Sequence, residues 1–100
     1  MEISLDAEQV LLLVAVEQGR VHMDPRYTKP DFEKEPEHPF GLKRATRRLA
    51  PLKKARLVEL VPEEDAGQYG VRLYKLTSRG QHVLEQVREM EAAARAEASA

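Results

Sequence analysis

The residues of this chain whose type and spacing point to chemistry are cations. Lys43, Arg44, Arg47, Arg48, Lys53, Lys54 and Arg56 lie between Glu37 and Glu59, a stretch with no acidic residue. They are seven of the sixteen basic residues in a chain whose net charge is −1, so the remainder is acidic. A polyanion responds to this local field, not to the total charge. Ammonium and guanidinium groups suit phosphate oxygens, and guanidinium also matches the paired acceptors on the major-groove edge of guanine. Thr46, set among them, suits a phosphate or a thymine methyl. The competing reading is intramolecular: the same cations pair with the acidic segment Asp31–Glu37.

Other chemistries find little footing. With no cysteine in the sequence, a disulfide framework, a thiolate zinc site and a cysteine nucleophile are excluded. His22 and Asp24 lack further ligands at helical spacing and read as a surface pair, so no metal is expected. Ser4, Ser78 and Ser99 have no base and orienting group nearby in sequence, and no glycine loop is present to cradle a phosphate. No catalytic residue and no cofactor is expected; the chain does not read as an enzyme. Tyr27, Phe32, Phe40, Tyr69 and Tyr74 read as packing residues, since no one strand carries the paired aromatics of a single-strand binder.

The elements that must position the cations follow from periodicity. A chain of 100 residues builds one modest core. Ser4 or Asp6 caps a helix predicted over Asp6–Gln18, apolar on more than one face and stopped by Gly19. Arg20–Phe40 holds Pro25, Pro30, Pro36 and Pro39, a spacing that breaks long regular structure. A short extended piece is expected over Arg20–Asp24 and a short helix near Pro30–Glu35. Gly41–Lys54 reads as a helix with Leu42, Ala45, Leu49 and Leu52 as its inner stripe, Lys43, Arg47 and Lys54 opposite, and Pro51 kinking its last turn. Leu57–Val61 and Val71–Leu76 read as a hairpin, and Thr77 caps a helix running to about Ala96. The expected core is Val10, Leu11, Val14, Leu42, Ala45, Leu49, Leu52, Leu57, Leu73, Leu76, Val83 and Leu84. The longest apolar run, Val10–Val16, is far below the roughly 20 residues of a membrane span. Met1–Asp6 lacks the basic start of a secretion signal, so a cytoplasmic protein without a membrane partner is expected.

Two stretches resemble a known family. Leu49-Ala-Pro-Leu52-Lys-Lys-Ala-Arg-Leu57-Val58-Glu59 is similar to the end of a recognition helix entering the first wing strand. Tyr74-Lys-Leu76-Thr77-Ser-Arg-Gly80-Gln-His-Val83-Leu84 is similar to the junction from the second wing strand to the following helix. In this order they resemble the winged helix-turn-helix regulators, MarR-like and PadR-like. The resemblance implies an α+β, mainly helical fold: a winged helix with a two-stranded β-hairpin wing and a long C-terminal helix. It implies a domain over 1–90 with a proline-rich connection at 20–40, a dimerisation helix over 78–96 and a disordered tail at 97–100. It further implies a transcriptional regulator, of repressor type, that binds double-stranded DNA through Lys43, Arg44, Thr46, Arg47, Arg48, Lys54 and Arg72. A homodimer is expected through Val83, Val87, Met90 and Ala94. Arg56 stands where these families often carry a left-handed glycine, and the wing tip Glu63-Glu64-Asp65 is acidic where phosphate-contacting wings are basic. The alternatives are a winged-helix protein-interaction module, favoured by that acidic tip, and a plasmid or phage partition or replication accessory.

Overall fold

The computed structural model describes residues 5–37 and 41–99; the expected cap at Ser4 and the expected packing residue Phe40 lie outside them. The first helix, α1 (Ala7–Glu17), begins with a reciprocal cap. The Gln9 amide donates to the Asp6 carboxylate at 2.8 Å, and the Asp6 amide donates to the Gln9 side chain at 3.0 Å, which satisfies two amides that a helix start leaves without partners. Of its apolar residues, Leu12, Leu13, Ala15 and Val16 are buried, while Leu11 is 66% exposed, against expectation. One face of α1 has a core to meet and the other does not. At its end Gly19 takes φ +73°. The Gly19 and Arg20 amides reach back to the carbonyls of Val16 (3.0 Å) and Ala15 (2.9 Å), the double closure of a Schellman turn.

Three short strands follow: β1 (Val21–Met23), β2 (Asp31–Lys34) and β3 (Leu42–Arg44). β1 sits inside the extended piece expected at Arg20–Asp24. The other two overturn expectations. The short helix expected near Pro30–Glu35 is strand β2, and the first turn of the helix expected over Gly41–Lys54 is strand β3. The prolines explain part of this. Pro25, Pro30 and Pro36 stand in turns and at strand ends, and pieces of three or four residues fit between them. The rest is pairing: Phe32, Glu33 and Lys34 face Arg44, Lys43 and Leu42, setting Lys43 beside Glu33 across the ladder. The helix α2 then covers only Thr46–Lys54.

After α2 come β4 (Val58–Leu60), two single turns at Glu63–Asp65 and Gln68–Gly70, β5 (Arg72–Leu76) and the 22-residue α3 (Ser78–Ser99). α3 runs past the end expected near Ala96, helical where a disordered tail was expected. The strands form one antiparallel sheet in the order β3-β2-β1-β5-β4. The expected hairpin is thus β4–β5, two strands of five. The protein is α+β with three helices among the described residues. None of these is long and apolar enough to cross a membrane.

Alternation along the strands sorts the sheet into two faces. Val21, Asp31, Val58, Tyr74 and Leu76 point into the core with Ala45, Leu49, Leu52, Leu57 and Leu84. His22, Phe32, Arg44 and Leu73 occupy the opposite face, one from each of four strands in register. Leu42 (51% exposed) and Leu73 (46%) lie on that face and leave the expected core. Val10, Val14 and Val83 pack at its margin.

Asp31 ties β2 to its surroundings. Its carboxylate accepts from the Tyr74 hydroxyl at 2.5 Å, and its amide donates to Thr46 Oγ1 at 3.1 Å. Its carbonyl accepts from the Ala45 amide at 2.8 Å. Burial, reinforced by the bond to Asp31, pushes the Tyr74 hydroxyl far above its ordinary range.

A second knot joins α2 to α3. Arg56 takes φ 61°, and the Arg56 and Leu57 amides close onto the carbonyls of Lys53 (3.0 Å) and Leu52 (2.9 Å). This is the same turn that ends α1, with arginine in place of glycine. Thr77 Oγ1 donates to the Arg56 carbonyl at 2.6 Å and accepts from the Gly80 amide at 3.0 Å. A Cβ on Gly80 would overlap the Leu57 carbonyl oxygen, so α3 comes this close only because residue 80 has no side chain.

Candidate nucleic-acid interface

The basic segment divides into paired and unpaired cations. Lys43 and Arg44 stand on β3 and not on the helix. Lys43 Nζ lies 3.7 Å from the Glu35 carboxylate. Arg48, on α2, donates to Glu33 at 2.6 Å and to the Arg44 carbonyl at 2.9 Å. Glu33 also receives Arg20 at 3.2 Å. Lys43 and Arg48 therefore follow the intramolecular alternative, because β2 brings its carboxylates beside β3 and α2. Thr46 spends its hydroxyl oxygen on the Asp31 amide. Arg72 sends two N–H groups to the Val61 carbonyl, at 2.8 and 2.6 Å, and clamps the base of the β4–β5 hairpin. These four, expected as DNA contacts, each have a partner within the chain. Arg44 is exposed, but it faces the open side of the sheet, opposite Phe32.

What remains on α2 is a shorter set. Arg47 and Lys54 are exposed and seven positions apart, so they fall on one side of the helix about 10 Å from each other. Between them on that side are only Ala50 and Pro51, both exposed. Pro51 has no amide to offer the Arg47 carbonyl, but its ring points outward and Leu49 and Leu52 stay buried. Lys53 and Arg56 are exposed beside this stripe, with the Lys53 ammonium 5.7 Å from the Tyr74 ring centre. Among the described residues, Arg47, Lys54 and Arg56 have no acidic partner. Sequence reasoning placed Lys53 and Arg56 in the basic segment without naming them as contacts. Their exposure follows from the turn after α2, whose geometry a one-residue shift would change.

No family model, curated protein or solved structure matches this chain.

The hairpin tip is as acidic in space as in sequence: Glu63, Glu64 and Asp65 form one exposed turn. Along α3, Leu84 is buried, Val83 and Val87 are half-buried, and Met90 is 72% exposed with Ala94 exposed beyond it. Arg88 fastens this helix to α1 through two bonds to Glu17, at 3.0 and 2.7 Å. The hydrogen bond from Arg88 holds the Glu17 carboxyl below its ordinary value.

The open face of the sheet holds a group of rings that the sequence did not suggest. His22 on β1 and Phe32 on β2 are register partners, stacked with centroids 5.7 Å apart and planes 24° from parallel. Tyr27, from the loop joining these strands, meets Phe32 edge-on at 5.2 Å. Neither strand carries two aromatics, and the pair exists only across the ladder. Burial, with the charge of Lys34, holds the His22 imidazole below its ordinary value, so the ring is mainly neutral near pH 7. Strict alternation in Val21-His22-Met23 and Asp31-Phe32-Glu33 was the available signal, and it becomes readable only once both segments are known to be strands.

Proposed function

We propose that this protein binds double-stranded DNA through the exposed side of α2, with Arg47, Lys53, Lys54 and Arg56 on phosphates, as a cytoplasmic regulator of transcription. The observation that carries this reading is the set of cations along α2 that no carboxylate among the described residues neutralises. Leaving several like charges together on a short helix costs self-repulsion, which a polyanion relieves. Ala50 and Pro51, small and flat between Arg47 and Lys54, let a backbone approach closely.

The order of elements supports a winged-helix reading. α1 precedes β1, β1 pairs with β5, and β5 pairs with β4, which follows α2 directly. On this reading α2 is the recognition helix and β4–β5 the wing. In this chain β2 and β3 stand where the second helix of such a domain would be. The acidic tip repels phosphate, so α2 docks without the wing. The same reading includes a homodimer through Val83, Val87, Met90 and Ala94, which sets two copies of α2 on successive half-sites.

Fluorescence anisotropy with a random-sequence duplex, read across a salt series, tests the proposal. Affinity should fall steeply with salt, and Arg47→Ala with Lys54→Ala should reduce the log–log slope by about 2. Arg95→Ala, a single charge removed from the far end of α3, should leave affinity nearly unchanged. An unaltered slope in the double variant would exclude α2 as the contact, and no duplex binding even at low salt would favour the protein-interaction alternative. Light scattering tests the dimer: Met90→Glu should convert it to a monomer.

A further inference from the structure

We propose that the open face of the sheet is a second binding surface, a platform on which single-stranded nucleic acid lays its bases against Phe32, His22 and Tyr27 and its phosphates against Arg44 and Lys34. The surface is distinct from α2 and does not rest on the duplex reading.

Three observations converge on it. The first is geometry. Arg44, Phe32, His22 and Leu73 are successive register partners across β3, β2, β1 and β5, a row about 14 Å long at the usual spacing of strands. Its centre is the stacked His22–Phe32 pair, with Tyr27 edge-on beside it. Half-buried rings backed by a rigid sheet are already ordered, so a base that stacks on them immobilises little that was mobile.

The second is charge. The cations of this face are Lys34, Arg44 and Lys75, all exposed. Its carboxylates are Glu59, at the β4 edge, 3.6 Å from Lys75, and Asp24, near enough to His22 to act on its charge and itself bonded by Arg26 at 2.7 Å. Glu33 and Glu35, the other acids of this part of the sheet, are engaged by Arg20, Arg48 and Lys43. The patch is thus apolar at its centre and cationic at its margins. A second copy of the chain laid face to face on it would bring like charges together. A chain of flat rings joined by phosphates complements both parts.

The third is shape. The face is a sheet surface, and among the described residues no helix or long hairpin rises from it to enter a groove. In a duplex the bases are stacked on one another and closed to a flat platform; in a single strand their faces are free.

A labelled oligothymidylate of about 15 nucleotides, titrated in anisotropy at low salt, tests this. The wild-type chain should bind it. Phe32→Leu keeps an apolar side chain on β2 but removes the ring, and should weaken binding at least about 5-fold, the low end of what one stacked base contributes. Phe32→Tyr should restore binding. Lys34→Ala with Arg44→Ala changes only exposed side chains and keeps the test decisive if Phe32→Leu proves unfolded by circular dichroism; it should lower the salt slope by about 1.4. Arg47→Ala with Lys54→Ala should leave oligothymidylate binding in place, so that failure of the duplex reading and failure of this one are separable. Absence of binding, or equal binding by wild type, Phe32→Leu and the Lys34/Arg44 variant, would overturn the proposal. So would a self-associating wild type that Phe32→Leu dissociates, which would identify the occupant as a second copy.

Discussion

The two faces of the sheet are built from the same strands yet carry opposite outcomes for similar residues. On β5, Leu76 is in the core and Leu73 is 46% exposed. On β2, Asp31 is buried and bonded while Phe32 lies on the open face. Hydrophobicity alone does not tell these pairs apart. What separates them is whether a helix lies opposite: α1, α2 and α3 cover the inner face, and no helix among the described residues covers the outer one. An apolar or aromatic residue left on the uncovered side is then available to a ligand. The two parts of the basic segment differ in the same way: Arg48 meets Glu33 on β2 and Lys43 meets Glu35 just after it, while Arg47 and Lys54 do not meet a carboxylate among the described residues.

The contrast can be broken at several points. Leu49→Ala, wholly within the covered side, should cost about 2–5 kcal/mol in chemical denaturation; a loss under 1 would mean that α2 is not anchored there. Tyr74→Phe should cost about 1–3 kcal/mol, since it leaves a buried Asp31 carboxylate oxygen without its donor. An unchanged denaturation midpoint would show that Asp31 finds another partner. Arg56→Gly should gain about 1 kcal/mol by relieving a left-handed non-glycine residue, and it should weaken duplex binding at the same time. Opposite signs in stability and affinity from one change would sharpen the division between structural and functional cations. Leu73→Thr, on the uncovered side of the strand that carries Leu76, should shift stability by no more than about 0.5 kcal/mol, and a larger loss would show that the open face is packed after all.

The smallest effect concerns pH. Glu17, held below its ordinary 4.5 by the bond from Arg88, contributes its stabilisation above that value. The contribution fades as pH falls through the lowered one. Glu17→Gln should therefore lower stability slightly at neutral pH and leave it unchanged at the acid end, flattening the acid limb, as thermal melts from neutral to acidic buffers would reveal.

Several features were legible because their causes are local. The start of α1 at Asp6, its end at Gly19 and the cap at Thr77 each depend on residues within a few positions. The hairpin β4–β5 and the stripe Ala45, Leu49 and Leu52 were also legible, since each follows one period. The error at Leu42 came from that same period. Its spacing fits the stripe equally well, and nothing local says that the helix starts only at Thr46.

The amino-acid order by itself determined where α1 starts and stops and where α3 starts, that one core forms, and that positive charge gathers between Lys43 and Arg56. Tertiary structure alone decided which of those charges stay free. Glu33 reaches Arg48 across fifteen residues only because β2 and β3 pair, and His22 meets Phe32 only through the β1–β2 register. The physical reason is range. Caps and periods act within a turn or two, whereas ion pairs and ring stacks need two distant segments to meet, and only the sheet brings them together.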